Sequence, residues 1–199
     1  MSFRIEKKYN IHPVKLPQLY MWLDKSNAEN IYKKRRINSL YLENENSTMF
    51  KDSVEGSLPR KKIRIRKYGL KISNYNNSNL ECKINSVEGR FKKITKIISA
   101  DKILKYGFFD KDYGNCLPKI EISYNREYFK IFNNIRLTLD TAICYKRYNK
   151  NFQNYPVQED KIILEAKTND TDYTNFINEN IFFEETRFSK YCNAFEKIF

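Results

Sequence analysis

The chain has 199 residues and a formal net charge of +13, from 37 Lys and Arg against 24 Asp and Glu, with 15 Tyr and 14 Phe to fill an interior. That length suits a single domain over residues 1–199 with a core of its own. No stretch approaches the ~20 apolar residues of a membrane helix, and Met1-Ser2-Phe3-Arg4-Ile5-Glu6 puts charge where a signal peptide carries its apolar run, so the reading is a soluble cytoplasmic protein. The basic excess favours anionic partners such as nucleic acid, an acidic membrane surface or a polyphosphorylated molecule, although a solvated basic surface accounts for it equally well. Cys82, Cys116, Cys144 and Cys192 are widely spaced without a Cys-x-x-Cys pair, which reads as reduced thiols rather than a disulfide frame or zinc site. His12 is the single histidine, which excludes His-dependent metal clusters and argues against Ser-His and Cys-His triads.

In chain order, residues 3–11 read as a first strand, broken by His12-Pro13. Leu16 to Leu23 carries helix-spaced apolar residues after Pro17. Arg36 to Glu43 reads as a second strand, and residues 44–59 as a polar connection with room for one short helix. Lys61–Tyr68 is a third strand, closed by Gly69. An Asn-rich turn follows, then Leu80–Ile84 and Arg90–Ile98 as a hairpin across Ser86-Val87-Glu88-Gly89. Ser99–Tyr106 suits a short helix with Ser99 as N-cap. Lys119–Tyr128, Ile135–Tyr148 and Asp160–Lys167 are three further strands, and residues 176–199 read as a helical tail. The sum is an α+β chain in which about eight mainly antiparallel strands, able to close into a barrel, carry a few peripheral helices.

The strands share one design. In Lys61-Lys62-Ile63-Arg64-Ile65-Arg66-Lys67-Tyr68, a period of two sets Arg64 and Arg66 on one face and Ile63 and Ile65 on the other. Arg4, Glu6 and Lys8 repeat the pattern, as do Glu81 and Lys83, Arg136, Thr138 and Asp140, and Glu165 and Lys167. One strand breaks it: Tyr124 and Arg126 share parity with Ile120 and Ile122, so either a bulge resets the register or Arg126 faces solvent. The ionic rows either face water, as one side of an antiparallel sheet often does, or roll inward. Inward-facing rows, with Arg126, Arg136 and Lys190 included, leave a surplus of roughly five positive charges that needs a counter-anion. A tripolyphosphate matches it in sign and size, and Arg holds phosphate oxygens in a planar fork. No Gly-x-x-x-x-Gly-Lys-Ser/Thr or Gly-x-Gly-x-x-Gly run is present, so nucleotide chemistry here is not of the P-loop or dinucleotide-fold type.

These segments taken in order resemble the VTC domain, the polyphosphate polymerase branch of the triphosphate tunnel metalloenzyme (CYTH-like) superfamily. The matching stretches are Arg4-Ile5-Glu6-Lys7-Lys8-Tyr9, Asn38-Ser39-Leu40-Tyr41-Leu42, Lys62-Ile63-Arg64-Ile65-Arg66-Lys67-Tyr68-Gly69 and Leu80-Glu81-Cys82-Lys83. Tyr124-Asn125-Arg126, Ile135-Arg136-Leu137-Thr138-Leu139-Asp140-Thr141, Leu164-Glu165-Ala166-Lys167 and Ser189-Lys190-Tyr191 follow. The resemblance implies an antiparallel eight-stranded β-barrel, the triphosphate tunnel, and transfer of the ATP γ-phosphoryl group to a growing inorganic polyphosphate chain with Mn²⁺ or Mg²⁺. Carried over, it implies that Lys8, Arg64, Arg66, Lys83, Arg126, Arg136 and Lys190 grip phosphates. Tyr124, Ser189, Lys167, Glu6 and Glu81 would support the substrate, and Glu165 would bind the metal. Hydrolytic relatives carry Glu-x-Glu-x-Lys on the first strand, where this chain reads Arg4-Ile5-Glu6-Lys7-Lys8, a departure that favours the polymerase branch. A metal-dependent tripolyphosphatase or nucleoside triphosphatase on the same fold is the alternative. A non-catalytic barrel that binds polyphosphate or RNA, stacking bases on Tyr68 and Tyr128, is a third reading, with nucleic acid the less expected partner. Any membrane or regulatory partner would be a separate chain.

Overall fold

A computed structural model of the chain describes residues 5–69, 74–132, 134–149 and 155–199. The elements run β1 (Ile5–Ile11), a 3-10 turn (Pro13–Lys15), α1 (Leu16–Lys25), β2 (Glu29–Glu43), α2 (Thr48–Glu55), β3 (Arg60–Tyr68), β4 (Ser78–Ser86), β5 (Gly89–Ile97), α3 (Asp101–Tyr106) and β6 (Phe108–Asp110). They continue through β7 (Gly114–Ile131), β8 (Ile135–Arg147), β9 (Val157–Glu159), β10 (Ile162–Thr168), α4 (Thr171–Asn180), β11 (Glu184–Glu185) and α5 (Lys190–Ile198). The fold is α+β, with antiparallel pairing between neighbouring strands and few helices. Eight of the described strands have seven or more residues, and the expected strands fall on these eight. Arg4 and most of the Asn-rich turn's approach, residues 70–73, lie outside the described residues. No helix among the described residues is long and apolar enough to cross a membrane.

Three expectations are corrected. β2 begins at Glu29 rather than Arg36; its added residues are mostly exposed, so no apolar row marks them as strand. The tail is not one helix: α4 ends at Asn180, β11 intervenes and α5 starts at Lys190. Each of these helices opens on its own side-chain cap, Asp170 Oδ1 accepting from Asp172 N at 2.9 Å and Ser189 Oγ from Cys192 N at 3.3 Å. α3 starts one residue later than expected, with Ala100 at the cap position, while Ser99 Oγ still accepts from Asp101 N at 3.2 Å.

The chain divides into two compact units. The first holds the described residues up to Arg35, Tyr124–Ile143 and Glu159–Phe188; the second holds the described residues of Arg36–Ser123, Cys144–Gln158 and Ser189–Phe199. In the first unit the strands are ordered β11-β1-β10-β8-β7. Tyr9, Ile11, Leu137, Leu139, Leu164 and Ala166 turn to one side and pack under α1 and α4, through Leu19, Leu23 and Ile177. Leu19 and Leu23 are four residues apart, which places them on one helical face. In the second unit the order β2-β3-β4-β5 buries Leu40 and Ile65 with Tyr75 and Ala100, and Leu42 and Ile63 with Met49 and Cys116.

One buried residue of the apolar row in β3 is charged. Lys61 has the parity of Ile63 and Ile65, yet its ammonium is buried and donates to both carboxylate oxygens of Asp110, at 2.8 and 2.9 Å. Asp112 Oδ2 lies 2.5 Å from the same ammonium. Burial lowers the affinity of Lys61 for its proton, but the two aspartates outweigh it and raise the pKa above its ordinary value. All four cysteines are free thiols, as the sequence predicts, with Cys116 and Cys192 buried.

Two glycines separate conformational from steric cost. Gly56 closes α2 with φ +81° and open space around a would-be Cβ, whereas at Gly107, φ +86°, a Cβ would meet Asn115 Oδ1 at 2.4 Å and the Cys116 carbonyl at 2.8 Å. Gly56→Ala is therefore expected to cost about 1 kcal/mol, and Gly107→Ala about 3 kcal/mol or more, because the obstructing carbonyl is backbone. Thermal unfolding should show the second variant melting several degrees below the first, at about 2–4 °C per kcal/mol for a chain of this size.

Candidate functional site

The period-two rows emerge as continuous ionic faces because neighbouring strands pair in register. In the first unit, Glu6 pairs with Lys167 and Lys167 with Arg136, while Lys8 pairs with Glu165 and Glu165 with Thr138. Directly paired residues point to the same side of a sheet, so these six form two parallel rows. Lys167 Nζ lies 2.9 Å from Glu165 Oε1 and 3.4 Å from Glu6 Oε2. Lys8 Nζ donates to the Phe188 carbonyl at 2.8 Å and lies 3.5 Å from Glu6 Oε1. Arg136 shares the row but is exposed.

Arg126 neither faces solvent nor remains among its apolar neighbours. Its guanidinium forks onto Asp140, Nε to Oδ1 at 2.6 Å and Nη2 to Oδ2 at 2.7 Å, and reaches Glu165 Oε2 at 3.7 Å. The Tyr124 ring lies beneath it at 5.2 Å. Burial would lower its pKa, but Tyr124, Asp140 and Glu165 raise it well above the ordinary arginine value. Burial would also push the Glu165 carboxyl up, yet contact with Glu6 and the charges of Lys167, Arg126 and Lys8 hold it well below the ordinary carboxylate range.

Glu6 and Glu165 are thus a pair of carboxylates that share the Lys167 ammonium. Among the described residues no group of three or more His, Cys, Asp or Glu is arranged to hold a metal. Mg²⁺ and similar hard cations take one or two carboxylates and fill their remaining positions with water and phosphate oxygen, so the pair suits such an ion, with Glu165 the expected ligand.

The second unit's face is more cationic. One row sets Tyr41 opposite Arg64 and Arg64 opposite Glu81; the next sets Lys62 opposite Lys83 and Lys83 opposite Lys92. Glu81, buried, gathers its neighbours: Arg64 Nε and Nη2 reach Oε2 at 2.8 and 2.7 Å, Arg66 Nη1 reaches it at 3.5 Å, and Lys92 Nζ reaches Oε1 at 2.7 Å. Arg64 Nη1 donates to Tyr41 OH at 2.7 Å, and Arg66 Nε to Ser39 Oγ at 3.4 Å. Burial alone would raise the Tyr41 phenol, but Arg64, Arg66 and Lys62 bring it below its ordinary value, a measure of how positive this face is. At the start of α5, Ser189 Oγ accepts from Lys62 Nζ at 3.0 Å, and Lys190 is half-buried.

The structure therefore gathers Glu6, Lys8, Tyr124, Arg126, Arg136, Glu165 and Lys167 in the first unit and Arg64, Arg66, Glu81 and Lys83 in the second, where Ser189 reaches their sheet through Lys62. Lys62 and Lys92 belong to the same face and are not among the sequence-derived site residues, although Lys62 has the parity of Arg64. Of the two proposed base-stacking rings, Tyr68 is exposed, while Tyr128 is buried with its ring edge-on to Tyr32 at 5.4 Å, which removes it as an open platform.

Glu81 gives this face a pH dependence. Burial works against its charge, but Arg64, Arg66 and Lys92 hold its pKa down at about 2, against an ordinary 4.5. A carboxyl depressed in the folded state contributes stability that is complete above pH 4.5 and is lost as pH falls toward 2. Urea unfolding followed across that window should show the loss in the unmodified protein and a flatter profile in Glu81→Gln.

Several solved structures share this fold. A protein from Hippeastrum, described as a candidate adenylyl cyclase with a dominant triphosphatase activity, aligns with a TM-score of 0.57 at 15% identity over 98% of this chain and 96% of its own. A candidate adenylate cyclase from Vibrio parahaemolyticus aligns at 0.50 and 12% identity, over 90% and 83%. A chain of the Schizosaccharomyces pombe Mediator head module aligns at 0.57 and 10% identity, over 92% and 96%. At such identities the likeness is one of fold. Comparison with curated protein sequences returns no significant match. The family model of the VTC domain, however, matches residues 3–108 and 101–199: this chain belongs to the VTC domain family.

Proposed function

We propose that the protein is an ATP-dependent polyphosphate polymerase that transfers the γ-phosphoryl group of ATP to the end of a polyphosphate chain. The observation that carries this reading is the row of Lys62, Lys83 and Lys92, set directly opposite one another beside Arg64 and Arg66. Like charges placed opposite in a sheet destabilise it, and a multiply charged, extended anion is the ligand that relieves such a row. Arg64 and Arg66 would hold phosphate oxygens in their planar forks, with Lys83 and Lys190 as point charges. The proposal includes closure of the eight long strands into the tunnel that the resemblance implies.

Phosphoryl transfer passes through a loose transition state, so the protein's task is to align the reacting groups and neutralise developing charge. The attacking terminal phosphate is already anionic, so no side chain need remove a proton, in keeping with a face of Arg, Lys and Tyr. Lys8, Arg126 and Lys167 would steady the phosphates near Glu165. A divalent ion, Mn²⁺ or Mg²⁺, held by Glu165 with Glu6 beside it, would supply charge neutralisation at bridging phosphate oxygens.

The Glu6–Glu165 pair also favours a second reading, metal-dependent hydrolysis of tripolyphosphate or nucleoside triphosphates. Arg4, in place of the first glutamate of the hydrolytic pattern, weighs against it. The purified full chain, given ATP with Mn²⁺ or Mg²⁺, is expected to form long polymer that polyphosphatase degrades. Release of orthophosphate alone would replace the polymerase reading with the hydrolase, and absence of turnover with retained polyphosphate binding would replace both. Arg64→Ala is expected to lower turnover roughly a hundredfold or more, the usual loss on removing one charge-stabilising donor, and Glu165→Gln to abolish the response to added metal while tripolyphosphate still binds.

A further inference from the structure

The start of α5 is held by a group the phosphate face does not account for. Glu43, at the end of β2, is fully buried, and its carboxylate accepts from the backbone N–H groups of Asn44 at 3.0 Å, Met49 at 3.2 Å and Phe50 at 3.0 Å. Two of these are N–H groups of the first turn of α2, whose cap residue Ser47 makes no side-chain cap bond, so Glu43 caps that helix together with Asn44, whose Oδ1 accepts from Thr48 N at 2.8 Å. The same carboxylate accepts from Tyr191 OH, 148 residues along the chain.

Tyr191 follows Ser189 and Lys190 directly. Its ring lies 5.0 Å from the Tyr41 ring and 5.1 Å from Lys62 Nζ. Those are the two side chains through which the face meets Arg64 and Ser189: Tyr41 OH accepts from Arg64, and Lys62 donates to Ser189. Removing the Tyr191 hydroxyl would leave a four-donor carboxylate short of one partner in the dry interior, where such a vacancy is costly.

We propose that Glu43 and Tyr191 are positioning residues that lock the first turn of α5, with Ser189 and Lys190, against the cationic face of β3, and so set its affinity for phosphate chains. This rests on the phosphate-binding reading of that face. Neither side chain touches phosphate; both act through Ser189, Lys190, Tyr41 and Lys62. Burial, reinforced by Glu43, pushes the Tyr191 phenol upward, so it stays a donor at any working pH.

The test uses the full chain, inorganic tripolyphosphate as the probe in isothermal titration, and amide exchange without ligand. Tyr191→Phe keeps the ring and removes the hydroxyl; Phe195→Leu, which trims the buried stack on Phe50 at 4.6 Å, is the packing control. Tyr191→Phe is expected to bind tripolyphosphate about tenfold more weakly and to speed exchange at Cys192 and Asn193. Phe195→Leu should lose thermal stability while keeping affinity within about twofold of the unmodified chain. Glu43→Gln should follow Tyr191→Phe if it folds. Unchanged affinity and exchange in Tyr191→Phe, or an equal affinity loss in Phe195→Leu, overturns the positioning role alone. Failure of the unmodified chain to bind tripolyphosphate overturns the phosphate reading and the positioning role with it.

Discussion

Cations that face one another across a sheet repel, and the second unit sets Lys62, Lys83 and Lys92 in that relation on three neighbouring strands. One row away lies the buried carboxylate of Glu81, which reaches Arg64, Arg66 and, of the three lysines, Lys92. A single acidic group in low-dielectric surroundings gathers three cations more effectively than three separate surface pairs would, because each interaction there is screened less. The field that remains is still positive enough to bring the Tyr41 phenol below its ordinary pKa despite burial.

The first unit solves a different problem with the same strand grammar. Its rows mix Glu6, Glu165 and Asp140 with Lys8, Lys167 and Arg126, so charge is almost balanced locally. Arg126 is anchored on Asp140 by two short bonds, which fix its guanidinium beside Glu165. The second unit thus offers surplus positive charge, and the first offers the Glu165 carboxylate, held ionised by its neighbours.

Period-two alternation made the ionic and apolar faces legible in the sequence, because a strand assigns faces by parity alone: Arg64 and Arg66, Glu6 and Lys8, and Glu165 and Lys167 needed nothing more. Information carried by distant residues was not legible. Lys61 is buried because Asp110 comes to meet it from β6, and Tyr191 gains its partner from Glu43 at the far end of β2. Arg126 broke parity in the sequence since its destination, Asp140, lies on another strand. The tail read as one helix because neither Gly nor Pro marks the break between α4 and α5. The stretch Glu29–Arg35 showed no pattern because it is exposed along most of its length.

The buried lysine of β3 has a consequence for how the chain finds its pairing. Alternation forbids a slip of one residue, which would turn every apolar side chain outward, but it tolerates a slip of two, which restores all the faces. Lys61 removes that ambiguity. Sliding β3 by two positions one way would bring Ile63 to Asp110 and leave that carboxylate unmatched, and sliding it the other way would carry the Lys61 ammonium to the place of Ile63, among aliphatic side chains. The pair therefore acts as an index mark between β3 and β6, selecting one alignment among several that hydrophobicity alone would accept.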